Sequence, residues 1–347
     1  MNLIYKSLLL FLFLGLVSST VEAGSYRFYI ENETFLYNLE RDRNLGPAGV
    51  DARTLTGDIL KPFIAYKVDD DMTVVIGALL DIPFGEDDRV EKADPVISIH
   101  YDFSPGYRFT AGTLNHIHPL LDGLFDDILE YEDPVEQGFQ LQVKKKYFRQ
   151  DLWIDWRERE LTDRPENFAA GNYTQFKSDR AMFDLQGYYF HFGGGLNSVK
   201  TVTDNYSFAL GAGYKFYKRR RSSDTLGETG LTAHYLINNN QDSRGVPTTI
   251  EDGVLIKLYT HLWGAKFYVM KWAMGGPDFI PTQGDKFYQA DHFSEIGFEK
   301  TWWWKKNVAF KVNLRATQIF GRIDFDHLTS MKWRLDFTPD KNKSSAD

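Results

Sequence analysis

The sequence predicts an all-β protein: a transmembrane antiparallel β-barrel of about 16 strands, within roughly 14 to 18. Three observations predict it. The first is alternation. Val308, Phe310, Val312, Leu314 and Ala316 interleave with Ala309, Lys311, Asn313 and Arg315, and Met331, Trp333, Leu335 and Phe337 interleave with Lys332, Arg334 and Asp336. Successive strand residues point to opposite faces, so each segment has one apolar and one charged face. An apolar outside around a wet, charged inside is what a membrane-spanning barrel needs. The second observation is that no later segment approaches the roughly 20 apolar residues of a transmembrane helix. A chain that enters lipid without such helices must do so as a closed barrel. The third is that short and long connections alternate along the chain.

The elements follow in order. Residues 1–23 read as a secretory signal peptide, with Lys6 in the n-region, an apolar run from Ser7 to Leu16, and Val21-Glu22-Ala23 before the expected cut. The expected barrel domain is 24–337, followed by a polar tail over 338–347. The expected strands begin with 26–39, 57–68 and 72–82. The second and third carry apolar rows at Leu60, Pro62, Ile64, Tyr66, Val68 and at Met72, Val74, Ile76, Ala78, Leu80, Ile82. Strands 95–102 and 107–114 flank the turn Phe103-Ser104-Pro105-Gly106. Then come 138–145, 150–158, 167–176, 181–192 and 206–217, the last with Tyr206, Phe208, Leu210, Ala212, Tyr214 and Phe216 on one face. The remainder are 228–237, 252–262, 265–273, 293–303, 308–319 and 328–337, with a short polar break before the last. Alternation is least regular in the first, fifth and eighth strands. Long connections fall at 40–56, 83–94, 115–137, 193–205, 238–251 and 274–292. An even strand count places both termini on the short-turn side, as in bacterial outer-membrane barrels.

Composition narrows the function. Losing the leader removes Lys6 and Glu22, so the net charge stays at −8. That argues against a nucleic-acid partner. There is no cysteine, so disulfides do not support the fold. Aromatic residues make up 16% of the chain, and Tyr and Trp concentrate at membrane interfaces. Trp302, Trp303 and Trp304 precede Lys305-Lys306 at an expected strand end. With Trp333 and Phe337 they read as an interface girdle with snorkelling lysines.

The chain resembles Gram-negative outer-membrane β-barrels, porins in particular. The resemblance is architectural and covers nearly all of 26–337: export signal, strand pattern, loop asymmetry and the terminal strand Met331 to Phe337. It implies outer-membrane localisation, contact with lipid and lipopolysaccharide, a possible homotrimer, and passive diffusion of small hydrophilic solutes. It also implies that the third long loop, 115–137, folds inward and narrows the pore. That loop carries Asp122, Asp126, Asp127, Glu130, Glu132, Asp133 and Glu136, with no Lys or Arg. Leu120, Leu121, Leu124, Phe125, Ile128 and Leu129 recur at helical spacing and predict a short amphipathic helix. Lys61, Lys144, Arg157, Lys257, Lys311, Arg315, Lys332 and Arg334 fall between outward apolar residues and form an expected basic wall. A basic wall facing an acidic loop sets a transverse field that filters solutes.

Enzymatic readings are weaker in the residues alone. There is no Gly-x-Ser-x-Gly elbow and no compact His/Ser constellation in the sequence. Asp151, Asp155 and Glu158 read as a lumenal strand face rather than as paired catalytic carboxylates. His116 and His118, two apart, give an incomplete metal-ligand set. The expectation is a channel without catalytic residues, cofactor or metal. The alternatives are a non-conducting barrel with a structural, adhesion or assembly role, or a barrel enzyme acting on lipids or glycans.

Overall fold

The computed structural model describes residues 25–40, 52–86, 90–161, 164–194, 202–218, 226–241, 247–276, 278–279 and 281–337. The expected leader and polar tail lie outside the described residues. Among the described residues, sixteen strands follow in chain order. The first eight are β1 (Ser25–Glu40), β2 (Arg53–Lys67), β3 (Met72–Pro83), β4 (Lys92–Ser104), β5 (Tyr107–Thr113), β6 (Gln137–Lys144), β7 (Phe148–Glu158) and β8 (Asn167–Lys177). The second eight are β9 (Ala181–Phe192), β10 (Thr203–Tyr217), β11 (Leu226–Gln241), β12 (Thr249–Leu262), β13 (Ala265–Ala273), β14 (His292–Trp303), β15 (Val308–Ile319) and β16 (Arg322–Asp336). Each pairs with its sequence neighbours, and β1 also pairs with β16 to close the barrel. Closure leaves no free strand edge.

The alternation decides which way each side chain points. Phe310 and Leu314 are exposed on the outer wall, while Asn313 and Arg315, on either side of Leu314, are buried. The same parity holds across β16, where Met331 and Leu335 face out. Short turns join β2 to β3, β4 to β5, β6 to β7, β8 to β9, β12 to β13 and β14 to β15. Both ends of the barrel chain, Ser25 and Asp336, lie on that side.

The polar break placed before residue 328 does not exist. β16 starts at Arg322, directly after the two-residue turn Phe320-Gly321. Both turn residues are left-handed, with φ of 48° and 78°. That geometry matches the twist of a tight hairpin, and Gly321 takes it without a Cβ penalty. It carries the ladder on through Ile323 and Phe325, which face out, and Asp324 and Asp326, which face in.

The lumen is not simply wet. Two connections fold into it: residues 114–136 and, among the described residues, 274–276, 278–279 and 281–291. Their backbones hydrogen-bond to each other, Asp126 N to Gln283 O at 2.8 Å and Asp285 N to Asp122 O at 2.7 Å. Leu124, Phe279, Phe287 and Tyr288 from these segments pack against inward Trp153, Tyr188, Leu255, Trp272 and Phe293. Ile128 and Tyr131 pack against inward Phe35, Tyr37, Leu39, Ile59 and Phe63. The amphipathic helix expected over 120–129 shrinks to a single turn, α1 (Leu129–Glu132), preceded by separate hydrogen-bonded turns. Its apolar residues are satisfied by the barrel wall, so helical pairing along the segment is not needed to bury them.

Candidate functional site

Two polar constellations stand out, one inside the barrel and one on its outer wall.

Inside, the acidic segment meets the basic wall through named pairs. Arg315, on β15, reaches across the lumen. Its guanidinium donates to Asp127 Oδ1 at 3.0 Å and Asp122 Oδ2 at 3.3 Å, and also bonds the Tyr37 hydroxyl. Tyr37 in turn donates to Asp127 Oδ1 at 2.9 Å. Burial, with Asp127 next to it, pushes Asp122 up to about 7. Desolvation acts on Asp127 as well, yet Arg315 and the Tyr37 hydroxyl hold it below the usual carboxylate range. One guanidinium thus serves two carboxylates whose ionisation is pushed in opposite directions. Lys332 bridges Glu130 at 2.8 Å and Glu33 at 2.7 Å. Glu132 pairs with Arg53, and Asp133 lies 3.6 Å from Lys92 and 3.8 Å from Arg157. Asp126 caps the turn, accepting from Ile128 N at 3.1 Å.

Glu136 meets a partner of a different kind. The His118 side chain is buried, with Nε2 2.6 Å from Glu136 and Nδ1 3.1 Å from Asp151. Its ring stacks on Trp153 at 3.5 Å. Burial opposes a charge on the ring, but the two carboxylates win and raise it to about 9. Both ring nitrogens are engaged, so neither is free for a metal or for proton abstraction.

The residues of the expected basic wall divide by what they meet. Arg315, Lys332 and Arg157 touch the acidic segment. Lys257 lies over the Tyr268 ring at 3.6 Å, and Arg334 pairs with Glu31 at 3.1 Å over the Tyr29 ring. Lys61, Lys144 and Lys311 have no ion-pair partner among the described residues. Arg53, Lys92 and His118 were not expected as partners of the loop. Trp302, Trp303 and Trp304 are exposed at the short-turn end, as is Phe337, whose ring sits 5.4 Å from Phe28.

The outer wall carries something the alternation did not predict. Even-numbered residues of β1 and β2 face outward, and toward the long-loop side they are polar. Cross-strand register places His327, Asn38 and Thr54 in one row, Thr329, Leu36 and Thr56 in the next, and Met331, Thr34 and Asp58 in a third. Asn32 lies one step further down. Asp58 Oδ1 accepts from Asn32 Nδ2 at 2.9 Å and from Thr34 Oγ1 at 2.5 Å. Thr54 donates to Asn38 Oδ1 at 2.7 Å. His327 Nε2 and Thr329 Oγ1 are 2.6 Å apart. On β16 this pair lies between apolar Met331 below and exposed Phe325 and Ile323 above. Polar groups on the lipid face are costly, so a patch interrupting the band asks for a reason.

Residues 18–341 match the family described as lipid A 3'-O-deacylase-type. No curated protein matches the sequence. Solved structures show a similar fold at low identity. An anion-selective porin from Comamonas acidovorans aligns with 10% identity and a TM-score of 0.54, covering 90% of this chain and 100% of that one. A loop L8 deletion mutant of OmpT, an outer membrane protein of Vibrio cholerae, aligns with 11% identity and a TM-score of 0.53 over the same shares. OprD from Pseudomonas aeruginosa aligns with 9% identity and a TM-score of 0.51, covering 93% of this chain and 96% of that one. These likenesses are to outer-membrane barrels. The family match overturns the expectation that the chain has no enzymatic activity, since the family is named for hydrolysis of an acyl ester. The sequence reading missed this because it sought a nucleophile and base close in sequence within a known elbow. His327 falls in the segment read as a break, and Thr329 in the expected last strand 328–337.

Proposed function

From the premise that this chain belongs to the lipid A 3'-O-deacylase-type family, we propose that it removes an acyl chain from lipid A by ester hydrolysis at its outer wall. The observation that carries this reading is the His327–Thr329 pair at 2.6 Å on the lipid-facing surface. An acyl ester of lipid A lies where the sugar headgroup meets the chains. A polar patch inside an apolar band suits such a substrate: the band holds the chains and the patch meets the ester. Nucleophile and base within hydrogen-bond reach are the signature of covalent acyl transfer. His327 takes the Thr329 proton as Oγ1 attacks the ester carbonyl. The bond from carbonyl carbon to sugar oxygen breaks, and the proton passes from His327 to that oxygen. Water, deprotonated by the same imidazole, then attacks the acyl-threonine carbonyl; the bond to Oγ1 breaks, the proton passes from His327 to Thr329 Oγ1, and a fatty acid leaves. Asn38, opposite His327 in the register, is an amide donor for the developing oxyanion.

The test is mass spectrometry of lipid A after incubation with folded protein in vesicles. Loss of one acyl chain is expected from the natural sequence. His327→Gln and Thr329→Val should each slow it by about 100-fold or more. Failure of the folded natural protein to release any chain would refute the activity. Unchanged rates in both variants would refute the site.

A second reading, passage of small solutes, is favoured by the charged lumen. The lumen retains a cavity of about 710 Å³ at the short-turn mouth, lined by Asp71, Asp102, Arg108 and Lys144 among others. Charged groups lining a passage set its selectivity. In planar bilayers, neutralising Asp126, Asp127 and Glu130 together should shift the reversal potential away from cation selectivity. An unchanged potential would mean that the segment does not line a conducting path.

A further inference from the structure

A separate lumenal cavity, of about 430 Å³, lies between β1, β2, the start of the inward segment and the end of β16. Its lining combines apolar Ile59, Phe63 and Leu114 with basic Lys61, Lys332 and Arg334, the carboxylates Glu31, Glu33 and Glu130, and His116. The charges there are unequally answered. Lys332 is bonded to both Glu33 and Glu130. Arg334, at the same cavity, is bonded to Glu31. Lys61 has no hydrogen-bond or ion-pair partner among the described residues. It projects from β2 with the same parity as its inward neighbours Ile59 and Phe63. Beside it, burial and the neighbouring Lys61 and Lys332 ammoniums hold His116 well below its ordinary range, so the imidazole is neutral. A neutral imidazole offers a donor or an acceptor without adding charge.

Glu31 stands opposite Lys61 in the register, yet Glu31, Glu33 and Glu130 are engaged by Arg334 and Lys332, so three acids face the three cations Lys61, Lys332 and Arg334 and the Lys61 ammonium is the one without a direct ion pair. The apolar share of the wall narrows the choice. Inorganic phosphate would leave Ile59, Phe63 and Leu114 uncovered. A carboxylate with a short alkyl chain would meet Lys61 with its head and these side chains with its tail. We propose that this cavity is a binding site for a carboxylate-headed amphiphile, with Lys61 as the charge partner and His116 as a hydrogen-bond partner. The site is lumenal and uses neither His327 nor Thr329, so it stands whether or not the barrel cleaves lipid A.

The test uses the full chain folded in lipid nanodiscs, with octanoate, octanol and inorganic phosphate as probes in isothermal titration. Octanoate should bind saturably, and Lys61→Met should weaken it by at least tenfold, while octanol and phosphate bind weakly to both proteins. Folding of the variant is checked by heat-modifiable migration. Should the variant not fold, the natural protein still decides: octanoate must slow acylation of Lys61 by an amine reagent, read by peptide mass spectrometry, and octanol must not. Equal binding of octanoate and octanol would overturn the proposal, because the charge would not be read. So would phosphate binding tighter than octanoate, equal affinity in Lys61→Met, or no protection of Lys61.

Discussion

Replacing His118 with alanine should destabilise the barrel by about 3–5 kcal/mol, the loss expected when one partner of a buried ion pair is removed. Glu136 and Asp151 would be left facing each other without the imidazolium between them, and Trp153 would lose the ring stacked at 3.5 Å. Much of this loss should return in His118→Ala combined with Glu136→Gln and Asp151→Asn, because the uncompensated charges then vanish. The same group makes stability depend on pH. His118 titrates at about 9 in the folded protein, above the ordinary 6.5 of an unfolded histidine. Its stabilisation is therefore complete below about pH 6.5 and is lost as pH rises through about 9. The difference corresponds to about 3 kcal/mol. Denaturant midpoints of folded protein in micelles, taken between pH 6 and 10, should fall for the natural sequence and stay flatter for the variant over that window. Parallel curves would show that His118 does not carry the dependence.

The second large effect is at Arg315. Arg315→Met should cost about 3–5 kcal/mol, since it strands Asp122 and Asp127 in the middle of the lumen. The inward segment should also detach from β15, which limited proteolysis would detect as new cleavage within residues 114–136. Adding Asp122→Asn and Asp127→Asn to Arg315→Met should recover most of the loss. If the triple variant is no more stable than the single one, the guanidinium acts by packing rather than by neutralising the pair. Lysine is not expected to substitute well, because its ammonium lacks the planar fork with which the guanidinium meets Asp122, Asp127 and the Tyr37 hydroxyl.

The barrel itself was legible because a period of two leaves a strong mark. Leu60 to Tyr66 and Val308 to Ala316 each show an outward apolar row, and the structure places those rows outward. What the alternation hides is the inner face. Phe35, Tyr37 and Leu39 alternate with Leu36 and Asn38, so this stretch carries apolar residues on both sides. Such runs mark strands covered on both faces, and here the inner cover is Ile128 and Tyr131. The pattern was readable in principle but pointed to no particular partner. The ion pairs were partly legible: an acidic loop and a basic wall are visible in sequence, whereas which acid meets which base depends on the shear of the barrel. The outer patch shows the reverse case. β1 had irregular alternation because Asn32, Thr34 and Asn38 occupy its outward positions. That irregularity is the constellation now placed beside His327. Local rules tend to break where a chain carries a function.

At β15 and β16 the rim of the barrel is only the turn Phe320-Gly321 high. A glycolipid drifting in the leaflet can approach the wall there sideways, without leaving the membrane. On the proposed reading the substrate is then met by a search in two dimensions. The quantity that sets its supply is molecules per unit area of leaflet, and spreading the same amount of lipid A through inert lipid starves the enzyme as surely as removing it.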